Sequence, residues 1–164
     1  MHELYEGIEL NEKQTELICR GLLDLARVDG VHPTELELVR EVYAQGGGNP
    51  AGFDALSAQG FDLARVAPAI KVGGPKVVEA FLVSCYLLIY ADGDHSEAER
   101  ARVGAFADAL GVSRDQLEEL HVKARLFLLT ELAQSLRNKD AVKQVGHGLG
   151  LDSDQIARVW ETLR

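Results

Sequence analysis

Carboxylates and imidazoles gather at two places in this chain. The first reads Ala26-Arg27-Val28-Asp29-Gly30-Val31-His32-Pro33-Thr34-Glu35-Leu36-Glu37, the second Tyr90-Ala91-Asp92-Gly93-Asp94-His95-Ser96-Glu97-Ala98-Glu99. In both, an Asp-Gly pair is followed by a histidine at the third position after the Asp. Asp29, His32 and Glu35 at one corner, and Asp92, Asp94, His95, Glu97 and Glu99 at the other, are the candidate ligands of a divalent cation. Oxygen donors alone suit calcium, magnesium or manganese, and an added imidazole shifts the preference toward zinc or manganese. The second corner is not an EF-hand. Counting from Asp92, Glu97 stands where that loop needs glycine and Val103 where it needs glutamate.

Helices must position these groups. An apolar segment runs into each Asp-Gly pair and a charged one opens after it, so the pattern reads as an internally repeated helix-turn-helix. Glycine permits the left-handed backbone that ends a helix. Ser96 with Glu99 forms a capping box, and Thr34 with Glu37 offers the same one. Acidic residues in a first turn also suit the helix dipole. Capping and dipole therefore account for much of each corner without any ligand, but they do not call for the Asp or the histidine. The repeat predicts two units packed about an approximate two-fold, with the apolar stretch Val77 to Ala91 at the centre and Asp29 and Asp92 approaching each other.

Composition bounds the function. The chain has 164 residues, enough for one domain with a sizeable core. Its 17 Lys and Arg against 26 Asp and Glu give a net charge of -9, which argues against a nucleic-acid partner and is compatible with a cation or a basic protein partner. The two cysteines, Cys19 and Cys85, sit among apolar neighbours and read as reduced and packed, which fits a cytoplasmic protein. The start of the chain is polar and acidic, unlike a signal peptide. The longest apolar run, Val77 to Ala91, is too short to span a bilayer. No transmembrane segment is expected.

Apolar periodicity predicts helices over Glu12 to Val28, Thr34 to Ala44, Val77 to Ala91 and Glu97 to Leu110, with one or two short helices between Ala51 and Gly74. A second, smaller repeat matches Leu110-Gly111-Val112-Ser113-Arg114-Asp115-Gln116-Leu117 with Leu149-Gly150-Leu151-Asp152-Ser153-Asp154-Gln155-Ile156. Each is a glycine stop, a cap, a Gln three places on, and a hydrophobic staple. No segment alternates like a strand, so the fold class is all-α: one helical domain over 1–164, with repeat units at about 11–45 and 76–110 and C-terminal helices over 113–164. Gly46-Gly47-Gly48 and Gly73-Gly74-Pro75-Lys76 lack the Gly-Lys-Ser/Thr of a phosphate loop. With no nucleophile-base pair visible, an enzyme is not expected.

The Ala91-Asp92-Gly93 stop with Ser96, Glu97 and Glu99, and its looser copy Val28-Asp29-Gly30 with Glu35 and Glu37, resemble the TerB-like domain of tellurite-resistance proteins. The resemblance covers roughly Leu10 to Leu110 and the C-terminal helices. It implies an all-helical, pseudo-symmetric duplication, a link to tellurite resistance and chemical stress, and metal binding by acidic residues at the Asp-Gly corners. Two functions of different class follow. One is a metal-responsive stress-protein domain. The other is a metal-free helical interaction module whose acidic face docks a basic protein partner, with a homo-oligomer also open.

Overall fold

Five helices begin with the same local device, and this punctuation sets the element order. In four of them a side-chain oxygen at the N-cap receives the backbone N–H three residues on, and in all five the Glu or Gln there returns a bond to the cap N–H. The computed structural model describes residues 10–91, 96–136 and 138–163. Its helices are α1 Glu12–Ala26, α2 Pro33–Gln45, α3 Phe53–Ser57, α4 Leu63–Lys71, α5 Pro75–Tyr90, α6 Glu97–Ala109, α7 Arg114–Leu136, α8 Lys139–Gly148 and α9 Ser153–Thr162. No strand occurs among the described residues, so the all-α expectation holds. None of these helices is long and apolar enough to cross a membrane. The chain divides into two compact units, Met1–Leu117 and Glu118–Arg164.

Within the first unit, α1 packs against α2, α3, α4, α5 and α6, and α5 packs against α1, α4 and α6. The apolar run expected at a centre is there: Phe81, Leu82, Leu88 and Ile89 of α5 are at most 1% exposed. Ile18, Cys19, Leu22 and Leu25 of α1 are fully buried as well. Rings fill the space between elements. Phe106 of α6 lies 5.6 Å from Phe81 of α5 and 5.6 Å from Phe61, edge-on to the latter. Arg102 of α6 ties the layer to α1, with its Nε and Nη2 both 2.8 Å from Asp24 Oδ2 and its guanidinium 5.1 Å above the Phe106 ring.

One expected boundary shifts, and one expectation is made definite. The segment assigned to one helix through Val28 leaves the α form at Ala26 and finishes as a 3-10 turn over Arg27–Asp29. The stretch between Ala51 and Gly74, where one or two short helices were expected, contains α3 and α4.

In the second unit, Leu129, Ala133, Val142, Leu151, Ile156 and Val159 form one buried cluster drawn from α7, α8, α9 and the turn between α8 and α9. The smaller repeat reads as expected. Ser113 with Gln116 and Asp152 with Gln155 exchange reciprocal cap bonds of 2.8–3.2 Å. Helices α6 and α8 end in the same pattern, Val112 N–H to Ala107 O at 2.9 Å and Leu151 N–H to Gly146 O at 3.0 Å. Gly146 allows α8 and α9 to approach: a Cβ built there would lie 2.5 Å from Ile156 Cγ1 and 3.2 Å from Leu129 Cδ2. Gly146→Ala is therefore expected to destabilise this unit by about 1–3 kcal/mol through overpacking, although alanine is the better helix former. Trp160 of α9, the single tryptophan of the chain, reports the transition by fluorescence.

Candidate functional site

The first corner starts where α1 gives way to the 3-10 turn that Asp29 closes. Gly30 follows with φ 86°, a backbone that an L side chain resists, and its N–H reaches Arg27 O at 3.5 Å. The chain then enters α2 through His32, whose extended backbone makes it the N-cap, with Pro33 in the first turn where a missing N–H costs nothing. Glu35 at N3 turns back, and its Oε1 accepts the His32 N–H at 3.1 Å. This corrects the sequence expectation. The box here pairs His32 with Glu35, not Thr34 with Glu37, and Glu37 is exposed.

The second corner follows α5. Ala91 closes that helix with its N–H on Leu88 O at 3.1 Å. Ser96 then caps α6: its Oγ accepts the Glu99 N–H at 3.1 Å, while Glu99 Oε1 accepts both the Ser96 N–H and the Ser96 hydroxyl at 3.3 Å. The expected Ser96–Glu99 box is present. Helix α6 packs on α5, on α1 and on the Arg27–Asp29 turn, so the helix launched by one corner rests on the turn that forms the other.

The eight expected ligands fall into distinct places. Glu35 and Glu99 occupy the same N3 position in their helices and are 2% and 4% exposed; they are the buried charged side chains among the described residues. His32 and Glu97 are exposed. Asp92, Asp94 and His95 lie outside the described residues, and with them the expected approach of Asp29 to Asp92. Among the described residues, no three His, Cys, Asp or Glu side chains are grouped so as to hold a metal ion.

A difference of residue type separates these two boxes from the rest. The boxes that open α1, α7 and α9 use Gln14, Gln116 and Gln155 at N3, and none of those side chains is buried. The two corner boxes use glutamate, and both are buried. A neutral amide completes the cap three times in this chain, so capping alone does not require a carboxylate. A buried carboxylate costs desolvation unless a positive charge or several donors offset it. What glutamate adds over glutamine at these corners is a negative charge held at a fixed place.

Sequence reasoning missed the His32 cap, although Pro33 signalled it, because proline favours the first position after an N-cap. It also missed a groove between α1 and α4, of about 640 Å³, lined by Lys13, Arg20 and Arg65. Its α1 half was visible as Lys13, Leu17 and Arg20, spaced along one helical face. Only the fold brings Arg65 beside them. No family model, curated protein or solved structure matches this chain.

Proposed function

We propose that this chain is a TerB-like stress-response domain whose two Asp-Gly corners bind a divalent cation. The single observation that carries the reading is the use of buried glutamate at the two matched corners, where the other capping boxes among the described residues use glutamine. The helix C-terminus that enters each corner adds partly negative carbonyls, which favours a cation there. Asp29, His32, Asp92, Asp94, His95 and Glu97 complete the proposed donor sets, and carboxylates with imidazole suit manganese or zinc, whereas carboxylates alone suit calcium or magnesium.

The test is thermal unfolding and calorimetry with calcium, magnesium, manganese and zinc, on the wild type, Glu35→Gln/Glu99→Gln and Asp92→Asn. Glutamine can keep the cap bond that each carboxylate returns, so the double variant is expected to fold, and its metal-free midpoint is the reference for its own titration. One of the ions raises the wild-type midpoint, by about 2.7 kcal/mol of stabilisation at a hundredfold excess over Kd, and the variants lose that shift. If no ion binds more tightly than about 1 mM, the metal reading fails. The metal-free interaction module then takes its place. Leu132 and Leu136, one turn apart on α7 and 45% and 37% exposed, favour that second reading by offering a protein partner an apolar contact.

A further inference from the structure

The groove between α1 and α4 runs against the charge of the chain as a whole. The protein carries 17 cationic and 26 anionic side chains. The groove presents three cations, Lys13, Arg20 and Arg65, against one carboxylate, Asp62. None of the three cations takes part in an ion pair among the described residues. A cluster of positive charge in an acidic protein is unfavourable to none of its acidic surroundings, but its members repel one another, and a bound anion relieves that repulsion.

Two features make this more than a charged surface. The Arg20 guanidinium is fixed, because its Nε donates to Gly60 O at 3.1 Å and one terminal nitrogen donates to the same carbonyl. Its other terminal nitrogen makes no hydrogen bond to a described residue, so a preset donor remains at the wall of the groove. The groove also has apolar walls, Leu17 and Phe61 among them, and its volume of about 640 Å³ is that of a site for a small organic molecule.

We propose that this groove binds a phosphate monoester with an apolar or aromatic body. Three cations against one carboxylate leave two net positive charges, which match a phosphate monoester dianion. A guanidinium N–H held in place, with a second guanidinium and an ammonium beside it, is a side-chain set that phosphate oxygens favour. Leu17 and Phe61 contact the organic half. This proposal is independent of the cation reading of the corners, which lie elsewhere in the first unit.

The test titrates the full chain with phenyl phosphate, by calorimetry and by amide chemical shifts, with inorganic phosphate and phenol as separate arms. Phenyl phosphate is expected to saturate with a Kd below about 1 mM, with shifts centred on residues 13–20 and 60–69. Inorganic phosphate binds at least about tenfold more weakly, and phenol does not saturate. Lys13→Gln/Arg65→Gln, both changes at exposed positions, leaves the melting midpoint unchanged and weakens phenyl phosphate by about tenfold or more. Arg20→Lys keeps the charge and still weakens binding, because an ammonium cannot both hold Gly60 O through two nitrogens and present a third fixed donor. The proposal is overturned if phenyl phosphate fails to saturate by about 10 mM, if the double variant binds as well as the wild type, if shifts centre outside the groove, or if inorganic phosphate binds equally well.

Discussion

Phe81→Ala lowers the unfolding free energy of the Met1–Leu117 unit by about 3–5 kcal/mol. The size follows from where the ring sits. Phe81 is fully buried in α5, its ring is 5.6 Å from that of Phe106 on α6, and its far edge fills the space beside Gly21 of α1. A Cβ on Gly21 would lie only 2.8 Å from Phe81 Cζ, so the ring joins three helices with almost no slack. Truncation removes the transfer free energy of a benzyl group and leaves a cavity that these backbones cannot close. Domains are stable by only about 5–15 kcal/mol, so the variant forfeits a large share of what holds this unit together. Tyr43, Tyr86 and Tyr90 all belong to this unit, so their near-ultraviolet signal follows its urea transition separately from Trp160. Val72→Ala is the control: at 84% exposure it should change stability by less than about 0.5 kcal/mol. A Phe81→Ala cost below about 1 kcal/mol would mean that α5 does not lie at the centre of the core.

The same helix shows what a sequence can and cannot disclose. The α5 segment is apolar on most sides, interrupted by Glu79 and Ser84 over Val77 to Ala91, and burial on most sides is what suits it, so its central place was legible. The Gly111 and Gly150 stops with their caps were legible too, because a glycine stop, a cap and a Gln at N3 act within one turn of chain. What failed was a choice between overlapping local signals. Thr34 is a better intrinsic N-cap than His32, but Pro33 fixes the backbone so that the helix starts one residue after His32. The box then falls on Glu35 rather than Glu37, and with it the burial of the charge. The groove cations show a different limit. Arg20 and Arg65 are distant in sequence, and they meet only because α1 packs against α4, which no local pattern encodes.

That distinction bears on the corners. A capping box specifies a hydrogen bond, and Glu and Gln satisfy it equally. Burial specifies a cost, and only Glu incurs the cost of a charge. The choice of residue type therefore carries information at Glu35 and Glu99 that it does not carry at exposed Glu97, which any helix N-terminus would welcome. Glu35→Gln and Glu99→Gln separate the two roles for this reason, since they retain the hydrogen bond and delete the charge.

Raising the pH from 9 to 10 destabilises the Met1–Leu117 unit by about 1 kcal/mol for each of its two thiols, and the slope then approaches about 1.4 kcal/mol per pH unit. Burial pushes the Cys19 thiol up to about 12, with Glu16 adding to the effect, and burial alone pushes the Cys85 thiol up. In the unfolded chain a thiol ionises near its ordinary value of 9.0. Below that pH both states are protonated and the contribution to stability is complete. Above it the unfolded chain loses protons that the folded chain keeps, and stability falls until, for Cys19, the folded value near 12 is reached. Tyr43 is also raised, chiefly by burial and then by Glu16, Cys19 and Glu12, but its ordinary value is 10.0. Between pH 9 and 10 the thiols therefore contribute more of the fall than Tyr43 does, and the cysteine variant separates the two. Cys19→Ala/Cys85→Ala should flatten the fall of the urea midpoint across that interval, whatever it does to the midpoint itself. The same shift governs reactivity, because the thiolate is the species that reacts. Three pH units between the unfolded and folded Cys19 values make native labelling by a disulfide reagent at pH 8 slower than labelling in urea by about a thousandfold. Labelling within about tenfold of the unfolded rate, or an alkaline slope unchanged in the double variant, would show that these thiols are not sealed in the α1 and α5 core.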